Sequence, residues 1–246
     1  MGFARALATT VFILALPVAL VTSNVRLLIN APLVYSYSFD RYDAEDATGL
    51  SRSDIDATAG ALRGYFNSGE KTFYHEVTEG GLKEPVFNAR ETRHMQDVKR
   101  IVSWTNRVQE VAAMYVLAYV VACFIWVRDG SLRQLAGQAL AGLALGLAAV
   151  GAAGIAAVVS FDAAWDRFHA VIFSGGSWQF DPATDHLIQM FPEAFWRDAV
   201  LFLGAMCAVE AFLIAAASVV YLMGTRSERT RLPASLDVSS SRPHAA

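Results

Sequence analysis

Apolar residues along this chain collect into four long runs rather than into short amphipathic stripes. The runs cover approximately residues 6–29, 108–127, 135–160 and 199–223, and each holds few ionisable groups. Crossing roughly 30 Å of hydrocarbon takes about 20 helical residues, so each run predicts a transmembrane helix. Arg5 precedes the first run in the manner of a signal peptide. Apolar character resumes through Val25, Leu27, Leu28 and Ile29 with no A-x-A cleavage site, which favours a retained helix.

The segments between the runs have a different grain. A helix is expected from Ser53 through Ile55, Leu62, Tyr65 and Phe66, and short strands at 71–77 and 84–87 flank Gly80-Gly81. Asn88 reads as the N-cap of a helix that runs through His94 into the second apolar run. A tight polar turn around Asp129-Gly130-Ser131 joins the second and third runs into an antiparallel hairpin. No proline interrupts the chain between Asn88 and Ser174, so both hairpin helices are expected to extend beyond the lipid at the end away from that turn.

Composition sharpens this picture. Hydrophobic residues make up 54% of the 246 and charged residues 17%, against roughly a quarter charged in soluble domains. A soluble doubly wound sheet, a disulfide scaffold and a disordered chain are excluded. The net charge of -3 argues against a nucleic-acid partner. Cys123 and Cys207 lie inside apolar runs, which predicts neither a disulfide nor a zinc framework. Arg5, Arg128, Arg133, Arg226, Arg229 and Arg231 fall on one side of the four runs, the cytoplasmic side by the positive-inside rule. Trp104, Trp165, Trp178 and Trp196 mark the outer boundary, and Trp126 and Tyr221 the inner one.

The expected architecture is a mainly α membrane protein, four transmembrane helices with an extracytoplasmic α+β cap. Its parts are a first helix (1–29), a cap with a helical extension (30–107), a transmembrane hairpin (108–160), a second outer loop (161–198), a fourth helix (199–225) and a disordered cytoplasmic tail (226–246). The outer segments exceed what connection requires, since bundle helices are usually joined by about 2 to 8 residues. Function is expected there.

In an antiparallel hairpin, residues at equal height average to the turn position. His94 and His169 do so at about 131.5, which predicts that they sit level on the outer side. Helical spacing places Arg90, His94 and Asp97 on one face and Asp162, Asp166 and His169 on another. A carboxylate beside an imidazole orients it and raises its basicity, as general-base catalysis near neutral pH requires. The blander alternative is a solvated, charged helix end. His75, His186 and His244 read as surface or structural, and no histidine pair has the i, i+4 spacing of a helical zinc site, so no metal is expected. Gln109 and Glu110 are expensive in lipid and mark either a candidate polar cleft or a snorkelling position at the outer end of the span, and Glu210 requires a partner within the bundle. Gly142, Gly146, Gly151 and Gly154 read as close helix packing.

Two blocks carry a family resemblance. Arg93-His94-Met95-Gln96-Asp97-Val98-Lys99 resembles the H-M-x-D-V signature of the bacterial lipoprotein intramolecular transacylases. Phe168-His169-Ala170-Val171-Ile172-Phe173-Ser174, then Trp178, Phe180-Asp181-Pro182, Leu187-Ile188, Phe191-Pro192-Glu193 and Phe195-Trp196, is similar to that family's second outer loop. Gly175-Gly176, in place of a polar residue, and Ala170 depart from the pattern.

The resemblance implies a multi-pass enzyme of the bacterial plasma membrane. It moves the sn-2 acyl chain of a diacylglyceryl-cysteine to that cysteine's α-amino group, giving a lyso-form lipoprotein, with diacylglyceryl lipoproteins and membrane lipid as partners. It also assigns catalysis to His94 and His169. On the chemistry, His94 would be the base, oriented by Asp97, and His169, near Asp166, would protonate the leaving oxygen, or the reverse. Arg93, Arg90 or Arg167 would hold the oxyanion, Trp178, Asp181 and Glu110 would line the substrate cleft, and no cofactor is needed. The alternative from another class is a non-catalytic membrane protein whose cap binds lipid or a protein partner.

Overall fold

The computed structural model describes residues 2–125, 131–173 and 177–231. The centre of the hairpin turn with Trp126 and Arg128, the pair Gly175-Gly176 and the tail from 232 onward lie outside the described residues. Helix α1 (Gly2–Asn30) is followed by three cap helices, α2 (Pro32–Arg41), α3 (Ala44–Thr48) and α4 (Arg52–Asn67). Strands β1 (Glu76–Glu79) and β2 (Leu82–Pro85) lead into α5 (Ala89–Ile125), α6 (Ser131–Val159), α7 (Phe161–Ile172), α8 (His186–Met190) and α9 (Glu193–Arg231). Four of these, α1, α5, α6 and α9, contain stretches long and apolar enough to cross a membrane.

The spans pack through a few specific devices. On α6, a Cβ at Gly146 would lie 2.6 Å from Cβ of Pro17, and one at Gly142 would lie 2.9 Å from the carbonyl oxygen of Ile13, so α1 and α6 meet backbone to backbone. Gly151 and Gly154 face open space and take no part in this contact. Glu210 receives a hydrogen bond from Asn24 Nδ2 at 2.8 Å, which supplies the partner its position demands. At the end opposite the cap, Arg5 bonds Gln134, and Arg133 donates to the carbonyl of Leu222 (3.0 Å) and to Thr225 Oγ1 (2.8 Å).

The cap follows the expected plan with shifted boundaries. Ser51, not Ser53, caps α4, because its hydroxyl accepts the Asp54 N–H. The strands form a two-residue hairpin in register Glu79↔Leu82, and its loop needs positive φ at both positions, +58° at Gly80 and +86° at Gly81. An aromatic core of Tyr35, Phe39, Tyr65, Phe73, Phe87 and Phe191 joins the cap helices to the second outer loop, and Met95 of α5 plugs into it.

Two expectations about helix continuity are corrected. The third helix does not run on past 160: Ser160 (φ −162°, ψ 57°) breaks it, and a separate helix, α7, starts at Phe161. The fourth helix runs further than expected, so residues 226–231 belong to α9 rather than to a tail.

Candidate active site

The start of α5 is closed by a reciprocal cap. Asn88 Oδ1 accepts from the N–H groups of Arg90 (2.9 Å) and Glu91 (3.1 Å), and the Glu91 carboxylate accepts from the Asn88 N–H (2.8 Å). The other Glu91 oxygen accepts from the Leu187 N–H at 2.7 Å, so the side chain that closes the helix also ties it to the second outer loop. Asp185 completes the tie. Only 2% exposed, it accepts from Asn88 Nδ2 (2.8 Å), Arg90 Nη2 (2.5 Å) and the Asp181 N–H (2.6 Å). Burial raises the Glu91 pKa against its two backbone hydrogen bonds. At Asp185 burial acts in the same direction, but hydrogen bonds from Asp181, Asn88 and Arg90 together outweigh it and hold the carboxyl low.

This joint brings His94 of α5 and His169 of α7 together. Their rings lie 6.1 Å apart at 21° to each other, and both are buried. Phe173 touches both, at 4.7 Å from His94 and 5.2 Å from His169. Phe180 stands edge-on to His94 at 5.2 Å, and Trp165 and Trp178 pack on His169 at 4.2 and 5.0 Å. His94 lies beyond the apolar part of α5, and burial lowers its pKa to about 4, with the neighbouring His169 adding to the effect and Asp97 opposing it. Burial also lowers His169, against a hydrogen bond to the Trp165 carbonyl and the charge of Asp166.

The expected carboxylate partners are therefore corrected. Asp97 pairs with Arg100 and faces Ser177 Oγ at 3.4 Å, and neither contact reaches His94. Nδ1 of His94 is buried with no hydrogen-bond partner among the described residues. Asp166 is exposed, and His169 is oriented instead by its own helix: Nδ1 lies 2.9 Å from the Trp165 carbonyl oxygen, so Nδ1–H donates and Nε2 keeps its lone pair. The rings are less basic than solvated imidazole, because aromatic burial outweighs charges that are paired elsewhere or solvated.

The arginines separate. Arg90 holds Asp185, and its guanidinium lies 5.8 Å from the Phe180 ring that covers His94. Arg93 and Arg167 are exposed, Arg93 bonding its own helix at Ala89. Among the expected cleft residues, Trp178 reaches the histidine pair. Asp181 is exposed and shapes the turn at 181–185 through the Ala183 N–H. Glu110 is half-exposed and ion-paired with Arg26 at 3.0 Å, while Gln109 accepts from the same arginine at 2.9 Å. His186 is structural, with Nδ1 2.8 Å from the Val86 carbonyl oxygen.

A cavity of about 380 Å³ shares Phe173 with the pair, although neither imidazole lines it. Phe173, Ile172, Asp97 and Arg100 form its upper wall, and Ile101, Trp104, Thr105, Val108 and Thr22 continue it along α5 and α1 toward the membrane. Sequence reasoning missed Glu91, although its place three residues after Asn88 spells a capping box. Asp185 and Arg100 carried no local signal, whereas Phe173 and Phe180 fall inside the second block of the family resemblance. Among the described residues no three His, Cys, Asp or Glu side chains gather to hold a metal ion.

A family model described as lipoprotein intramolecular transacylase Lit matches residues 10–196, which include both histidines and the loop that joins them. The chain belongs to this family. The Lit family comprises acyltransferases. The fold is similar to the structure of the membrane-integral Lit from Bacillus cereus, with a TM-score of 0.74 at 19% identity, covering 93% of this chain and 100% of that one. A structure of the same B. cereus protein with a histidine replaced by alanine gives 0.71 at 18% identity, over 92% of this chain and 97% of that one. A protein of Aquifex aeolicus (strain VF5) is 28% identical over 128 residues, 52% of this chain, and the match spans about half (54%) of that relative's length.

Proposed function

We propose that this Lit-family chain moves the sn-2 acyl chain of a lipoprotein's diacylglyceryl-cysteine to the cysteine's free α-amino group. The C–N bond forms as the ester C–O bond breaks, and the proton lost by the amine ends on the glycerol oxygen. Nucleophile and ester belong to one molecule, so holding them in one conformation supplies much of the rate without an enzyme-bound acyl intermediate.

One observation carries this reading: two buried, neutral imidazoles 6.1 Å apart, walled by aromatic rings at the foot of the cap. The Trp165 carbonyl holds the proton of His169 on Nδ1, which leaves Nε2 able to accept one, so His169 is the base. His94, whose Nδ1 has no hydrogen-bond partner among the described residues, passes a proton to the leaving oxygen. This reverses the first assignment made from sequence. The same aromatic surroundings that keep the rings neutral disfavour an ammonium beside them, so the α-amine, with an ordinary pKa of about 7.7 to 8.0, sheds its proton more readily there.

The arginine-bearing ends described above support a cytoplasmic placement of the termini, with cap and histidines on the outer side, where a lipoprotein's lipidated cysteine resides. Expression in a bacterium that makes only diacylglyceryl lipoproteins, followed by mass spectrometry of N-terminal lipopeptides, tests the reaction. The expected result is an N-acyl, S-monoacylglyceryl product. Unchanged lipopeptides in the presence of well-folded protein would sink the proposal in favour of a cap that merely binds lipid or a partner.

A further inference from the structure

Helix α7, which carries His169, sorts its residues by side. At about 100° per residue, Phe161, Ala164, Trp165, Phe168, Val171 and Ile172 share one face, and Asp162 and Asp166 lie on the other. Arg167 stands at one edge of the apolar face and His169 at the opposite edge. His169 is the buried residue of α7, whereas Val171 is 76% exposed and Phe168 47%. An amphipathic helix of a soluble domain turns its apolar stripe to the core. Here the edge with His169 and Trp165 meets protein, and Ala164, Phe168 and Val171 are left outward.

The uncovered face continues a surface that meets lipid. The chain enters α7 from the spanning helix α6 across the single residue Ser160. At that end of α6, Ile155, Val158 and Val159 are 67%, 70% and 77% exposed. Phe161, Trp165 and Phe168 stack in sequence along the apolar face of α7, at 5.5 and 6.2 Å. Aromatic rings beside a cation, with acidic groups on the far side, suit a helix lying at a membrane interface. On the protein side α7 is fastened through Trp165. Its ring stacks 5.6 Å from Trp196 of α9 and packs 4.2 Å from His169, and its carbonyl accepts from His169 Nδ1. The height of α7 is therefore the height of the imidazole.

We infer that α7 is seated in the bilayer leaflet on the cap side, with Ala164, Phe168 and Val171 among the upper carbons of phospholipid chains. Arg167 then reaches the phosphate layer, and Asp162 and Asp166 stay in water. The seat holds His169 beside His94, so bilayer phospholipid, and not protein packing alone, sets the position of that ring. Val171 is a positioning residue: it touches lipid and acts on the reaction through the ring two positions before it. The lipid contact stands apart from the chemistry, while its effect on rate rests on the transacylase reading.

The test reconstitutes the full chain in vesicles of phosphatidylglycerol and phosphatidylethanolamine, with photoreactive p-benzoylphenylalanine in place of Val171 or of Asp166. Illumination is expected to add the mass of a phospholipid in several-fold higher yield at the first position than at the second. Equal yields would overturn the seat, and so would crosslinked dimers in place of lipid adducts, which would assign the face to a second copy of the chain. With a synthetic diacylglyceryl lipopeptide, Val171→Asp is expected to lower kcat about tenfold, the order that burial of one valine carries, with KM and the thermal midpoint in place. Val171→Leu should keep the rate. An unchanged kcat in Val171→Asp, or a loss matched by a lower midpoint, would overturn the positioning role. Conversion of no substrate by the unaltered chain would overturn the transacylase reading and leave the crosslinking result standing.

Discussion

His94 titrates at about 4 and His169 is also displaced downward, so both rings are neutral wherever the amine can react. For His94 the sign follows directly. Between pH 6.5 and about 4 the unfolded chain takes up a proton that the folded chain refuses, so this contribution to stability is complete above 6.5 and is lost as pH falls through 4. Thermal unfolding in detergent should show a lower midpoint at pH 5 than at pH 7, and His94→Phe should shrink that difference. In catalysis a positioned acid or base contributes typically about 10²- to 10⁴-fold, so His94→Ala and His169→Ala should each slow transacylation by that order with membrane insertion intact. Conversion at the unaltered rate in either variant would refute the role given to that ring. The direction of these shifts was not legible in the sequence. Asp97 and Asp166 stand at the right helical spacing, but spacing says nothing of Arg100, which claims the first, or of the solvent that reaches the second.

At the scale of elements, the site depends on the joint between the start of α5 and the second outer loop. Asp185→Ala would leave Asn88 Nδ2, Arg90 and the Asp181 N–H without their acceptor, a cost of about 1–3 kcal/mol given that Arg90 remains half-exposed. Because Phe180 and Trp178 ride on the same loop, the variant should also lose activity even below its unfolding temperature. Full activity with a lowered midpoint would show that the joint is structural alone. The helix cap shares a residue with this joint: Asn88→Ala should cost about 1 kcal/mol for the cap and also removes one of the three hydrogen bonds to Asp185. Asn88 as a cap and Gly80-Gly81 as a turn were readable because both depend on backbone groups within a few residues. The break at Ser160 was not, since no proline or glycine marks it.

For the whole molecule, the close approach of α1 and α6 governs how the spans assemble. Gly146→Ala would press a methyl group into Pro17, and overpacking of this kind costs about 1–3 kcal/mol, measurable as a lower midpoint in detergent. Gly151→Ala, facing open space, should leave the midpoint in place. The sequence by itself determined the four spans, because hydropathy over about 20 residues is a property of the chain; it set His94 and His169 level only through a continuous third helix, and with that helix broken at Ser160 it is α7 that carries His169 to His94. Only the tertiary structure decided how basic the rings are, and that Arg26 meets Glu110 and Asn24 meets Glu210. Burial and pairing are set by side chains that lie 75 to 186 positions apart and become neighbours once the helices pack.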